Sequence, residues 1–405
     1  MLLIDIVYIA VLFTVTYFTF FSLLLWMENR KDLKGRTRRI KLPFVSLIIP
    51  AYNEENAIAR TIKNLLSINY PKNKLEIVVV DDGSTDNTYN IVKKFADKIH
   101  ILRKKNKGKA SALNFGLRHV KNEYVAVIDA DTLLDNNALI NCMKYFNLEN
   151  VAAVTSHIIS KSTNTLLEKM QNIEYMVTAL TRKVKERPNL IDATPGPLSV
   201  YKKDILIKLG GFDEKNVLED VEIAWRLLKN GYKIKMAYDA MAYTTYPNTL
   251  KSWWKQRTRW GVGGLQTLTK YFGCMTKKNT CAVGTFLVPI NLLSYVTLLL
   301  ALTLFSYRAF TFLAKNFFYM SKALSVGAAP FPIEIAYYFD IFSIYAIITA
   351  ILTIASIKIS MDNHGKKLKL TELVLYLITY AIFFPLNSIY SLYKFARKDF
   401  RWFTK

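Results

Sequence analysis

The chain has 405 residues, 52% of them hydrophobic, and a formal net charge of +24. A hydrophobic share at the upper edge of the range for soluble proteins indicates that part of the chain is built for a membrane. With three cysteines and four histidines, none paired at ligand spacing, the sequence argues against a disulfide framework, a zinc site and chemistry built on histidine clusters.

The apolar residues are concentrated in four runs, at 6–27, 284–307, 333–357 and 373–393. Each run has about the 20 residues that a helix needs to cross a bilayer. The first run is longer than the apolar part of a signal peptide and no basic residue precedes it, so it predicts a retained span rather than a cleaved leader. We therefore expect one N-terminal span, a central domain outside the bilayer and a C-terminal bundle.

Basic residues follow the first span directly, at Lys34, Arg36, Arg38, Arg39 and Lys41. Such residues mark the cytoplasmic side, so we expect an integral protein of the cell membrane with its N-terminus outside and its catalytic domain in the cytoplasm. The membrane flanks also account for much of the positive charge. Because the sequence shows no nucleic-acid-binding motif, we expect membrane lipid and no nucleic acid among its partners.

The central region alternates short apolar strands with amphipathic helices. The predicted strands are 44–50, 75–80, 99–103, 124–128 and 151–156, and the predicted helices are 54–67, 85–96, 109–120 and 136–146. This alternation predicts a doubly wound parallel sheet. In such sheets ligands bind beyond the carboxyl ends of the strands.

Two acidic pairs lie at predicted strand ends. Asp81 and Asp82 follow the second strand, and Asp129 and Asp131 follow the fourth. Either pair alone is typical of a turn or a helix cap. Both together point to a ligand, because two carboxylates close in sequence can share one Mg²⁺ or Mn²⁺ ion that bridges substrate phosphates.

Two further clusters follow along the chain. Leu218 to Glu222 opens an amphipathic helix with three acids, which either stabilise the helix dipole or supply a base for an acceptor hydroxyl. Gln256 to Trp260, just before the membrane bundle, is typical of an interfacial anchor. Its functional interpretation is an arginine that binds diphosphate and a tryptophan that stacks on a sugar ring.

The ordered clusters resemble the membrane-bound members of glycosyltransferase family 2, which include cellulose, chitin, hyaluronan and poly-N-acetylglucosamine synthases. The motifs that carry the resemblance are PAYNEE from Pro50, VDDGSTD from Val80, NKGKASALN from Asn106, DAD from Asp129, QNIEY from Gln171, GPLS from Gly196, GGFDE from Gly210, Glu219-Asp220 and QRTRW from Gln256. The resemblance implies a nucleotide-sugar-binding, Rossmann-like α/β domain of the GT-A type with a transmembrane helical bundle. The expected organisation is a span and basic flank at 1–40, a glycosyltransferase domain at 41–248, interfacial helices at 249–283 and a membrane bundle at 284–405.

The resemblance also implies roles in binding the donor. Tyr52 and Glu54 would line the nucleoside pocket. Asp82 would contact the uridine, and Lys109 would approach the donor nucleotide.

The reacting groups are implied in the same way. Asp129 and Asp131 would hold the diphosphate and its metal, and Asp220 would be the catalytic base. Gln256, Arg259 and Trp260 would form the acceptor end of the site and contact the diphosphate.

The expected activity is an inverting, metal-dependent transfer from a UDP-sugar that extends a polysaccharide, with export as a further step. Leu218 departs from the family pattern, which usually has threonine at this position. Two alternatives stay open: transfer of one or few sugars to a lipid acceptor, and an inactive scaffold of the cell envelope. The presence of Asp131 and Asp220 argues against the scaffold.

The topology of the C-terminal part is open at this stage. Both the loop at 358–369 and the tail at 394–405 are basic, but one predicted span separates them. Both can lie in the cytoplasm only if another segment crosses or re-enters, and 309–332 is a candidate. Four spans are the main expectation.

Overall fold

The structure is a computed structural model and describes residues 3–29, 40–160, 163–276, 281–327, 341–363 and 365–400. The main helices are α1 Leu3–Asn29, α2 Ile58–Ser67, α3 Thr88–Lys93, α4 Lys109–His119, α5 Ala138–Met143, α6 Leu166–Lys185, α7 Lys203–Lys208, α8 Glu219–Lys229, α9 Leu250–Tyr271, α10 Val288–Ser325, α11 Ile341–Asn363 and α12 Leu370–Ala396. The strands are β1 Val45–Ala51, β2 Leu75–Asp81, β3 His100–Arg103, β4 Tyr124–Val127, β5 Leu133–Leu134, β6 Val151–Ser160, β7 Ser199–Lys202 and β8 Lys233–Thr244.

The eight strands form one sheet in the order β3-β2-β1-β4-β7-β6-β8-β5. The first four are parallel, with Val45 of β1 opposite Leu75 of β2 and Tyr124 of β4. The side chains of β1 are almost completely buried because helices cover both faces of this half, as a parallel sheet requires. The predicted α/β fold is confirmed, and all five predicted strands are present.

The other half of the sheet corrects the prediction of a parallel sheet. β7 pairs antiparallel with both β4 and β6, and β5 pairs antiparallel with β8. The prediction missed β5, β7 and β8. Two of them are only two and four residues long, and a strand that short is identified by its partner across the sheet rather than by its own sequence.

The described residues form two compact units. The first contains residues 1–27 and 290–366, and within it the hydroxyl oxygens of Thr16 and Thr349 lie 2.7 Å apart in a hydrogen bond. The second contains residues 28–289 and 367–405, so α12 belongs to the same unit as the sheet. The predicted boundaries placed all of 284–405 in one membrane bundle. Those domain boundaries stay a prediction.

Three helices of the described part are long and apolar enough to cross a membrane: Ile6–Glu28, Val283–Ser325 and Leu370–Ala396. They overlap the first, second and fourth of the four predicted spans. The third predicted span, 333–357, begins outside the described residues, and α11 covers its remainder from Ile341.

Candidate active site

The carboxyl ends of β2, β1 and β4 lie side by side because these three strands are parallel neighbours. The backbone amide of Asp82 donates to the carbonyl of Ala51 over 2.8 Å, which joins the first two strand ends. The structure therefore brings the predicted nucleotide-binding segments, which lie up to 80 residues apart in the chain, to one edge of the sheet.

The loops after β1 and β2 are fastened to each other. Asn53 has a left-handed backbone with φ +55°, its amide donates to Ser84 Oγ over 3.0 Å, and its side-chain oxygen accepts from the amide of Thr85 over 2.9 Å. The amide of Glu54 donates to Thr88 Oγ1 over 2.7 Å. These bonds fix the backbone on either side of Tyr52, which is half-buried. Asn53 is a positioning residue that the sequence analysis did not single out.

Asp82 is buried, and its carboxylate forms an ion pair and accepts hydrogen bonds from other residues of the chain. Lys104 Nζ lies 2.6 Å from Oδ1, and the amide of Gly108 donates to Oδ2 over 2.8 Å. The amide of Lys107 adds a weaker bond. Asp82 thus holds the loop that leads into α4, where Gly108 takes φ +93°. Its contact to uridine stays a prediction.

Lys109, the first residue of α4, joins three elements. Its Nζ lies 2.6 Å from Asp129 Oδ1 at the end of β4 and 3.0 Å from Glu219 Oε1 at the start of α8. Burial opposes the charge on this amine, but Asp129, Glu219 and Asp220 outweigh that effect and raise its pKa. The predicted phosphate-side and base-side carboxylates are therefore in one electrostatic cluster.

The segment at 194–196 is hydrogen-bonded to the backbone of both Asp129 and Asp220. The amide and the hydroxyl of Thr194 both donate to the carbonyl oxygen of Asp220, over 3.2 and 2.9 Å. The amide of Asp129 donates to the carbonyl of Gly196 over 3.1 Å. A Cβ at Gly196 would lie 2.5 Å from Lys109 Nζ and 2.7 Å from Asp129 Oδ2, so any larger residue would displace these two side chains. The motif GPLS was part of the resemblance, but this role of Gly196 was not predicted.

Asp220 lies in the first turn of α8 and its side chain is half-buried. Burial, followed by the neighbouring Glu219 carboxylate, raises the pKa of Asp220 to about 6. Lys109 and Arg259 act in the opposite direction. A carboxylate with this pKa is ionised at neutral pH and more basic than an exposed aspartate, as a general base should be.

Asp129 and Asp131 suit a divalent cation through their chemistry. They supply carboxylate oxygens at the end of one strand, and Mg²⁺ or Mn²⁺ is typically held by one or two carboxylates together with substrate phosphates. Within the described part of the chain, no three His, Cys, Asp or Glu side chains form a ready-made metal cage. The pair therefore fits a cation that binds together with the diphosphate, and the metal site stays a prediction.

The QRTRW segment lies in the middle of α9 and packs on α6. Arg257 is buried, and its guanidinium donates to Glu174 and to the side-chain oxygen of Gln256. The same guanidinium lies 4.1 Å from the ring centroid of Trp260 and covers one face of the half-buried indole. Tyr175 meets Trp260 edge-on at 6.3 Å. Glu174 and Arg257 therefore position Gln256 and Trp260, a role that residue spacing did not reveal.

Arg259 connects this cluster to the proposed base, because it interacts electrostatically with both Asp220 and Tyr175. Arg259 of the predicted acceptor end is therefore within electrostatic range of the acidic cluster. The stacking of Trp260 on an acceptor sugar stays a prediction.

The structure shows how two further residues, Trp253 and Leu218, are packed. Trp253, on the same helix as Trp260, is fully buried. Leu218, the departure from the family pattern, packs against Gly263 of α9, where an added Cβ would lie 2.7 Å from Leu218 Cβ. A larger side chain at 218 is thus matched by the absence of one at 263.

A known protein family matches the part of the chain that contains most of the candidate site. Residues 46–210 match the family described as "Glycosyl transferase family 2". The match includes β1 to β4, the DAD motif and Gly196. These residues are therefore similar to a glycosyl transferase family 2 domain.

The chain is also similar to curated proteins that share one name. The chain is 32% identical over 249 residues to poly-beta-1,6-N-acetyl-D-glucosamine synthase of Staphylococcus aureus (strain MSSA476), covering 59% of each protein. It is 28% identical over 324 residues to the synthase of the same name from Staphylococcus epidermidis, covering 74% of this chain and 78% of that protein. The chain thus spans about three fifths of the length of the first relative.

A solved structure shares the fold. The mannosyltransferase PcManGT from Pyrobaculum calidifontis, solved in complex with GDP-Man and Mn²⁺, aligns with a TM-score of 0.60 at 22% identity. The alignment covers 87% of this chain and 98% of that one. At this identity the likeness supports the GT-A type of fold and no more.

Proposed function

We propose that this protein is an inverting membrane glycosyltransferase that uses a UDP-sugar to extend a polysaccharide, with its catalytic domain in the cytoplasm. The observation that carries the proposal is the junction at Lys109, which brings Asp129, Glu219 and Asp220 together beside the segments expected to bind the nucleotide. Because the similar Staphylococcus proteins are named as synthases of an N-acetylglucosamine polymer, UDP-N-acetylglucosamine is the first donor to test.

The chemistry is a single displacement at the anomeric carbon. The acceptor hydroxyl oxygen forms a bond to that carbon while the bond to the diphosphate oxygen breaks. Asp220 takes the hydroxyl proton, and UDP leaves with the electron pair of the broken bond. A divalent cation, held by Asp129 and Asp131 when bound, would neutralise the charge that develops on the diphosphate.

Other side chains of this protein supply positive charge, a face for the acceptor sugar and a fixed orientation of the base. Lys109 and Arg259 supply positive charge near Asp220, which favours its ionised form and the anionic leaving group. Trp260 has one face covered by Arg257, so its other face is the one offered to a sugar ring. The half-buried position of Asp220 and the anchoring of its carbonyl by Thr194 fix the base in orientation.

The test is a transfer assay with membranes that contain the full chain. Radiolabelled UDP-N-acetylglucosamine and UDP-glucose are compared in the presence of Mg²⁺ or Mn²⁺, and the products are sized. A product of many sugars supports the proposal, and a lipid carrying one or few sugars supports the alternative. Absence of transfer from every nucleotide-sugar, with the fold intact, would support the inactive scaffold.

A further inference from the structure

Helix α12 packs against α9 within the compact unit that contains the sheet, called the catalytic unit below. Asn387 donates to the carbonyl of Trp254 over 3.2 Å and to Thr258 Oγ1 over 2.9 Å. One turn later, Ser391 lies against Gly261, which has no side chain and so lets the two helices approach closely. Helix α12 also packs against α6. The contacts advance in the same direction along α9 and α12, so the two helices run side by side.

The neighbouring helix α9 belongs to the same compact unit as the sheet and α12. Its inner face is fixed by buried side chains, among them Trp253 and Leu265, while Lys251 and Lys255 on the same helix are exposed and charged. If α12 crossed a bilayer, the parallel part of α9 would enter the hydrocarbon with these lysines. Charged side chains are strongly disfavoured in the hydrocarbon core.

The opposite face of α12 is a continuous apolar stripe. Its members follow each other every three or four residues and expose between 40% and 73% of their surface: Leu370, Val374, Ile378, Ile382, Leu386, Ile389 and Tyr393. This spacing places them on one side of the helix. The side facing α9 instead carries buried polar residues such as Thr379, Asn387 and Ser391.

Basic residues flank the stripe at both ends. Lys366, Lys367 and Lys369 precede α12, and Lys394, Arg397 and Lys398 follow or close it. Lysine and arginine beside an apolar helix are attracted to anionic lipid headgroups, and they mark the cytoplasmic side. A spanning α12 would place one of these two basic clusters on the wrong side of the membrane.

We propose that α12 is an interfacial helix that lies on the surface of the bilayer, with its apolar stripe in the lipid and both ends on the side of the catalytic unit. The apolar stripe contacts the headgroup and upper acyl region of a membrane that contains anionic lipid. Its hydropathy and length make it resemble a span, but its contacts to α9 and α6 hold it in the plane of the membrane. The basic loop and the basic tail are then on one side without a re-entrant segment.

The first test maps the two ends of α12. In the full chain with Cys142, Cys274 and Cys281 replaced by serine or alanine, Lys367→Cys and Arg397→Cys are labelled with a membrane-impermeant maleimide. Lys121→Cys, in an exposed loop of the sheet domain, is the reference. We expect all three to react from the same side of sealed vesicles, and detergent-permeabilised vesicles calibrate full labelling. Reaction of Arg397→Cys from the side opposite to Lys121→Cys would overturn the proposal.

The second test measures depth in the bilayer. A fluorophore is placed at Val374→Cys, Ile382→Cys and Leu386→Cys, and quenching is compared between vesicles of phosphatidylcholine and phosphatidylglycerol that carry bromine at a shallow or a deep acyl position. An interfacial helix gives stronger quenching by the shallow lipid at all three positions. A depth that changes steadily along the three positions indicates a span, and no quenching by either lipid indicates that protein covers the stripe. Either of these two results contradicts the inference.

Discussion

The carboxyl group of Asp220 has a pKa of about 6, mainly because its surroundings are buried and secondarily because Glu219 is next to it in the chain. A base must be deprotonated to accept a proton, so its contribution is complete above this pKa and is lost as the pH falls through about 6. We expect the rate of transfer to decline on the acidic side with an apparent pKa near this value.

Substitution of Asp220 should remove both the rate and this limb of the pH profile. Asp220→Asn keeps the shape of the side chain, so donor binding should stay within a few-fold of the unmodified protein while transfer falls roughly 10²-fold or more. The control is Asp204→Asn, the same change in the first turn of α7 at an exposed position. Normal transfer by Asp220→Asn, together with loss of transfer in Glu219→Gln, would show that the other carboxylate is the base.

The metal prediction concerns Asp131. If Asp129 and Asp131 hold a cation with the diphosphate, chelation by EDTA should abolish transfer and Asp131→Asn should lower transition-state stabilisation by about 2 kcal/mol or more. Titration with Mn²⁺ should restore the chelated enzyme, and Asp97→Asn, in an exposed turn, should behave as the unmodified protein. Full activity of Asp131→Asn in the presence of chelator would contradict a metal-assisted reaction.

Trp260 is expected to act on the acceptor rather than on the donor. Since Arg257 covers one face of the indole, Trp260→Ala should weaken extension of an added acceptor by about tenfold or more and leave the KM of the donor nearly unchanged. Trp260→Phe, which keeps an aromatic face, should recover part of this loss.

The comparison for Trp260 is Trp254→Ala, because Trp254 lies on the same helix but packs toward Tyr390 of α12. An equal and modest effect of both alanine variants, with donor and acceptor affected alike, would favour a role of Trp260 in anchoring the helix.

At the scale of elements, the site depends on how closely the segment before β7 approaches β4 and α4. Gly196→Ala would place a methyl group against Lys109 and Asp129, which must then move apart. Because small displacements of reacting groups are costly, we expect transfer to fall roughly tenfold to a hundredfold while the protein stays folded. The matched control is Gly273→Ala, where an added Cβ meets no atom within 4 Å.

The thermal midpoint of each glycine variant is measured beside its activity. A large decrease for Gly196→Ala would indicate general unfolding instead of a local displacement, and unchanged activity at a normal midpoint would show that the spacing of Lys109 and Asp129 is not critical.

At the scale of the whole molecule, the described residues include helices suited to a bilayer before and after the sheet in the chain, at Ile6–Glu28 and Val283–Ser325. A helix of this length and apolarity remains inserted when peripheral proteins are removed. We expect the full chain to stay in the membrane pellet after extraction with alkaline carbonate and to be released only by detergent. Release by carbonate would show that the protein is held at the membrane by its surface alone.

The sequence by itself determined the strands β1 to β4, because a parallel sheet covered on both faces requires continuous apolar runs that are visible without a partner. It also indicated the resemblance to glycosyltransferase family 2, which the match of residues 46–210 supports, and it placed the predicted site residues Asp82, Asp129, Asp131 and Asp220 within short ordered motifs. Local periodicity was sufficient for α8 as well.

Only the tertiary structure decided how these segments meet. The antiparallel half of the sheet, the approach of Gly196 to Asp129 and the pairing of Glu174 with Arg257 all join residues far apart in the chain, so no local pattern encodes them. The same holds for α12. Its length and hydropathy alone indicate a span, whereas its contacts to α9 indicate an interfacial helix, because hydropathy records what a helix contains but not which of its faces is already covered.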